Sequence, residues 1–173
     1  MAPEMAKPAL TAFNMRAAQH LALYLAQPLG RWTALYPKFS LEADQFAKAL
    51  SGITGGPVVA LMSADESEFF CNICIGGRDL SYFKIVAGTQ RKGKQRDPVT
   101  KKVEALAAYS AAPARAALIE TLCDAREVTF SSALLDAFCR TFGIRNARSS
   151  YEYIARNDYA NDFDELAPLE HLT

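Results

Sequence analysis

The chain has 173 residues, half of them hydrophobic, and a formal net charge of zero. That length fits one domain, or one domain with a small helical appendage, and leaves enough core to fold without staples. Zero net charge argues against a protein that coats nucleic acid non-specifically, and no apolar run approaches the about 18 residues of a membrane span, so no membrane insertion is expected.

Two histidines, His20 and His171, lie at opposite ends of the chain, which excludes a classical zinc finger or a two-histidine nuclease unless the termini meet. The N-terminal MAPEMAKPAL has no apolar signal core and reads as a frayed leader. Asn14 caps a helix predicted to run to about Gln27, with Met15, Ala18, Leu21, Ala22 and Leu25 on one face; Pro28 and Gly30 end it. His20, beside that face, reads as structural. Residues 1–39 thus form an N-terminal helical segment. Ser40 caps a second helix, with Glu42 and Asp44 in its first turn and Leu41, Phe46, Ala49, Leu50 and Ile53 inside. Gly52, Gly55 and Gly56 stop it.

The period then changes. Pro57 to Met62 reads as a strand buried on both faces, Ser63 to Ser67 as a polar turn, and Glu68 to Ile75 as a second strand. Gly76 and Gly77 make a turn, and Leu80 to Ala87 is a third strand. Asp97 and Pro98 start a helix lined by Val99, Val103, Leu106 and Ala107. Pro113 begins the next, through Cys123, with Ala117, Leu118 and Leu122 inside. Ser131 or Ser132 begins another that ends at Gly143, and Ala147, Tyr151 and Ile154 share helical spacing in a fourth. The expected fold is α+β: a small mixed sheet flanked by helices, with a helical C-terminal half over 101–157 and a loosely ordered acidic tail over 158–173.

Chemistry concentrates in Tyr82 to Asp97, YFKIVAGTQRKGKQRD, where an apolar strand stops at Gly88 and the chain turns basic. A strand that delivers a glycine to a helix N-terminus exposes backbone N–H groups to an anion. Gly88, Thr89, Gln90, Arg91 and Lys92 are therefore candidate nucleotide or phosphate ligands, Arg91 through a bidentate fork. Lys94, Arg96, Lys101 and Lys102 extend the positive run toward nucleic acid. The competing reading is a solvated basic loop between a strand and a helix.

Residues 82–91, YFKIVAGTQR, resemble the strand-then-GxxR motif of the ParB/sulfiredoxin superfamily. Asp44 to Val59, DQFAKALSGITGGPVV, resembles the same family: a helix ends in glycine and leads to a Pro-apolar strand before the motif. The resemblance covers about Ser40 to Thr100, so 40–100 is the expected phosphate-binding sheet core. It implies a nucleotide at the loop, ATP or another, with Mg2+, and ATPase or DNase activity. Thr89 stands where partition proteins carry glutamate and sulfiredoxins their catalytic cysteine, which argues against sulfinic-acid reduction. The spacer from Pro57 to Gly88 is longer than usual, as if a hairpin were inserted. Plasmid fertility-inhibition factors of the Osa type form the branch it most suggests. That branch implies a bacterial, cytoplasmic setting, DNA as partner, and a protein partner in a conjugation or secretion apparatus.

Four further features bear on function. Asp65, Glu66 and Glu68 could hold magnesium or be a solvated turn. Leu134 to Ile154 could be a helix-turn-helix, with Arg145 and Arg148 opening its recognition helix, or an ordinary packed helical pair. Cys71 and Cys74 form a C-x-x-C inside a strand, where residues three apart face opposite ways; a buried structural pair is the better reading. The acidic C-terminus (Asp158, Asp162, Asp164, Glu165, Glu170) could serve a protein partner, so the alternative functions are a non-enzymatic interaction protein of the immunity or inhibitor kind and a helix-turn-helix DNA-binding regulator.

Overall fold

The computed structural model describes residues 8, 23–26, 31–37, 43–64, 66–145, 147, 154–156 and 169–172. Its order of elements is β1 (Leu23–Ala26), β2 (Leu35–Pro37), α1 (Ala43–Thr54), β3 (Pro57–Ala64), β4 (Glu68–Ile75), β5 (Arg78–Val86), α2 (Asp97–Ala105), α3 (Ala112–Cys123), α4 (Ser131–Phe142) and β6 (Leu169–Leu172). The fold is α+β. No helix among the described residues is long and apolar enough to cross a membrane. The chain separates into two compact units, one drawn from Met1–Val58, Cys74–Arg78 and Ile144–Thr173, the other from Val59–Ile73 and Asp79–Gly143.

The first unit holds a three-stranded sheet of order β2-β1-β6. The helical spacing of Met15 to Leu25 predicts a helix through Gln27, yet Leu23–Ala26 is strand β1. It pairs antiparallel with β2, Tyr24 opposite Tyr36, and with β6, Tyr24 opposite His171. Leu-Tyr-Leu fits either period, and a ladder on both edges decides for the strand. Strand β6 likewise replaces the loose order expected at 169–172, while Asp158, Asp162, Asp164 and Glu165 lie outside the described residues. In α1, Phe46, Ala47, Leu50 and Ser51 are buried. This helix runs through Gly52 rather than stopping there. An added Cβ at Gly52 would stand 3.2 Å from Gly77 Cα, and Gly77 sits at φ +75°. The Gly77 N–H donates to Ser51 Oγ at 3.0 Å. Two glycines thus let α1 and the turn at 76–77 touch backbone to backbone.

Strands β3, β4 and β5 neighbour each other in chain order. Their connections, 65–67 and 76–77, are far shorter than the about dozen residues a parallel crossover needs. The sheet is therefore an antiparallel meander, not a mixed one. Full burial on both faces falls on the central strand β4, where Cys71, Asn72, Ile73 and Cys74 are all buried, and not on β3, an edge whose Met62 and Ser63 are exposed. Neither cysteine forms a disulfide, and both are buried.

In the second unit, α3 packs on α2 and on α4. Phe69 of β4 meets Phe83 of β5 edge-on at 6.2 Å and Phe138 of α4 at 6.0 Å, and Phe138 meets Phe142 at 4.9 Å. Val99, Val103, Leu106, Leu118, Leu122 and Leu134 complete the core, while Ala107 and Ala117, expected inside, are exposed. Helix α2 starts where the Asp-Pro signal places it, with Arg96 rather than Asp97 at the cap. Gly143 ends α4 in the left-handed region, φ +68°. Arg115 is buried and closes the bend between α2 and α3. It bonds Glu104 at 3.0 Å, donates to the Ala107 carbonyl at 3.2 Å, and donates to that of Ser110.

Candidate nucleic-acid interface

At the end of β5 the chain turns tightly. Gly88 takes φ +78°, and Thr89 bonds back to the Val86 carbonyl through its N–H at 3.3 Å and its Oγ1 at 2.6 Å. No helix opens at Gly88; α2 begins nine residues later. The segment instead runs antiparallel beside the turn after α3, with Gln90 bridged to Asp124. Gly88 N–H donates to Ala125 O at 2.7 Å, Ala125 N–H to Thr89 O at 3.0 Å, and Arg91 N–H to Cys123 O at 2.7 Å. Gln90 Nε2 adds a bond to Asp124 Oδ2 at 3.1 Å. The N–H groups of Gly88, Thr89 and Arg91 are therefore taken by carbonyls of this chain. This corrects the expectation that Gly88 feeds a helix N-terminus.

The cations of the run divide into held and free. Arg91 donates through Nη2 to the Lys84 carbonyl, so its fork lies back on β5. Lys84 pairs with Glu68 and lies over the Phe70 ring. Arg96 pairs with Glu120 of α3, and that bond, chiefly, holds its guanidinium above the ordinary arginine range. Arg126 forks onto Asp124 with two bonds of 2.7 Å, and those bonds, chiefly, hold the Asp124 carboxyl at about 2. Lys102 is 0% exposed. Its Nζ lies 3.5 Å from Cys71 O, 3.4 Å from Asn72 Oδ1 and 5.5 Å from the centre of the Phe83 ring. A lysine in that position cannot reach a nucleic acid, which corrects its assignment to the basic surface.

What stays open is narrower than the sequence suggests. Lys92 and Lys94, around the 3-10 turn Gly93–Gln95, and Lys101, in the second turn of α2, are exposed. Among the described residues none of the three makes an ion pair or a side-chain hydrogen bond. The 3-10 turn leads into α2 and packs on it, and Asp97 is the single acid within the segment. Nearby, an open hollow of about 390 Å³ is lined by Glu120, Thr121, Asp124, Arg126 and Glu127. Three carboxylates against one arginine give it the wrong sign for phosphate.

The remaining candidates separate. The turn of Glu66 and Glu68 does not fit a magnesium site. Lys84 occupies the Glu68 carboxylate, Glu66 is exposed with a backbone at φ +57° whose carbonyl accepts from Ser131 N–H, and Asp65 lies outside the described residues. No group of three or more His, Cys, Asp or Glu that could hold a metal ion occurs among the described residues. Arg145 is exposed just past α4, and Arg148 with most of the expected recognition helix lies outside the described residues. Glu120, Asp124 and Arg126 escaped the sequence reading. Their signal was present: Glu120 and Asp124 are four apart at the end of a helix, and Arg126 follows at once. No protein-family model matches the sequence, and neither a curated protein nor a solved structure gives a significant match.

Proposed function

We propose that this chain binds nucleic acid through the sugar-phosphate backbone, with Lys92, Lys94 and Lys101 as the phosphate ligands. The observation that carries the reading is the sorting of charge: of the cations between Lys84 and Lys102, these three are exposed and unpaired among the described residues. Point charges of this kind bind phosphate without reading bases. The resemblance to the ParB/sulfiredoxin superfamily supports DNA as the nucleic acid and inhibition of conjugative transfer, or plasmid maintenance, as the setting. It also implies a nucleotide at Gly88–Arg91 with ATPase or DNase activity. The bonded state of that segment favours the lysines as the phosphate site over the glycine loop.

The alternative is a non-enzymatic interaction protein. Met62 and Phe130 are its support. They are exposed by 41% and 52%, and their chain neighbours Ser63 and Ser131 are bonded at 2.5 Å through Oγ.

The test is a titration of labelled duplex and single-stranded oligonucleotides by fluorescence anisotropy across a salt series. Three phosphate contacts give a slope of log K against log salt of about −2.7 on duplex. The Lys92→Ala/Lys94→Ala/Lys101→Ala variant, folded as the wild type is, flattens that slope toward zero. Wild-type affinity in this variant refutes the reading and leaves the interaction protein.

A further inference from the structure

Not all the held cations are held alike. Arg126 grips Asp124 with two parallel bonds, and Arg91 is folded onto the Lys84 backbone carbonyl of β5. Arg96 makes one side-chain hydrogen bond, a single Nη2 bond to Glu120 Oε1, with Asp124 a further nearby negative charge. That pair is open to water: the Arg96 side chain is 34% exposed and that of Glu120 67%. Exposed, one-bond ion pairs are weak, and a guanidinium gains more from a two-bond fork on phosphate. Arg96 is also placed in line with the free lysines. It lies between Lys94 and Lys101 in the chain, at the cap where the 3-10 turn meets α2.

We infer that Arg96 is a reserve phosphate ligand that Glu120 holds back, so that Glu120 limits the affinity of the lysine surface. The inference rests on the nucleic-acid reading above and deepens it. A phosphate approaching Lys94 and Lys101 meets a guanidinium already neutralised, with Glu120, Asp124 and Glu127 around the adjoining hollow. Removing the Glu120 charge frees the fork and adds one ligand to the surface. The other held cations gain nothing from that change, because none of them is bonded to Glu120.

The experiment compares wild type, Glu120→Gln, Arg96→Ala and the double variant on one labelled duplex across a salt series. Unfolding temperatures serve as the check that each is folded. Glu120→Gln is expected to bind several-fold more tightly at low salt and to steepen the salt slope by about 0.9, the signature of one more phosphate contact. Arg96→Ala is expected to erase that gain when combined with Glu120→Gln. The same gain in the Arg96→Ala background means that Glu120 acts only as a nearby negative charge, and the inference falls. An unchanged slope in Glu120→Gln overturns it as well. The triple lysine variant, run alongside, separates the two claims. If it loses binding while Glu120→Gln changes nothing, the lysine surface stands and the reserve arginine does not. If wild type shows no salt-dependent binding, both fall.

Discussion

Arg91 offers the sharpest contrast between what its sequence context suggests and what its bonds allow. A residue that forks onto a ligand phosphate is silent in folding and decisive in binding. In the structure its guanidinium donates to the Lys84 carbonyl and its backbone N–H to the Cys123 carbonyl. Arg91→Ala keeps the second bond and loses the first. A hydrogen bond from a charged donor contributes about 1.5–3 kcal/mol, and partial exposure of the site brings the expected loss to about 1–2 kcal/mol. For a chain of this size that lowers the unfolding midpoint by about 2–8 °C. Oligonucleotide affinity and its salt slope are expected to stay at the wild-type values. Arg91→Lys is expected to recover little stability, because an ammonium on a different stem cannot reproduce the planar donor. Thermal unfolding measures the first effect and the anisotropy salt series the second. An unchanged midpoint, together with a slope flattened by about 0.9, would refute the assignment and return Arg91 to phosphate.

Two further outcomes follow from single contacts. Asp124 has its carboxyl lowered from 3.8 to about 2, chiefly by Arg126, so its contribution is present above pH 4 and is lost as pH falls from about 4 to 2. Asp124→Asn is expected to flatten the stability profile in that window and leave it unchanged near neutrality in slope, which acid titration of the unfolding midpoint measures. Gly52→Ala gains about 1 kcal/mol in helix propensity but drives a Cβ to 3.2 Å from the Gly77 backbone. Overpacking of about 1–3 kcal/mol outweighs the gain, so denaturant titration is expected to show net destabilisation, and a stabilised variant would show that the α1–turn approach relaxes freely.

Local signals carried much of the fold. Strand β4 was legible to the residue because a polar turn and a glycine pair bracket one apolar run. The starts of α2 and α3 follow from Pro98 and Pro113, and the end of α4 from Gly143. Pairing across long stretches of chain was not legible. Leu23–Ala26 becomes a strand because residues 35–37 and 169–172 flank it, and nothing within its own window says so. The same holds for the Gly88–Arg91 segment, whose partner lies 34 residues on at Asp124. Burial of charge is legible in helical spacing. Val99, Lys102, Val103 and Leu106 repeat at i, i+3, i+4 and i+7, and Arg115, Leu118, Ile119 and Leu122 repeat likewise. Both cations occupy the inner stripe of their helices and are buried there.

The placement of these cations bears directly on function. A run of basic residues in one dimension says how much charge is present, not how much is free to meet a partner. Between Lys84 and Lys102 the fold binds Arg91 to a carbonyl, Lys84 and Arg96 to carboxylates, and buries Lys102. Each of these cations serves packing or pairing, and each one withdrawn shortens the reach of the surface by one phosphate. What remains is three lysines on a turn and the helix it enters; if they bind phosphate as proposed, they suit a salt-sensitive, sequence-tolerant grip and are too few for tight non-specific coating. The proposed binding by a chain of zero net charge would need its charge localised, and the antiparallel bridge of residues 88–91 to 123–125 immediately precedes the segment that carries the three lysines. The GxxR-like stretch is bonded to residues 123–125 through Gly88, Thr89 and Arg91 and does not open a helix at its glycine.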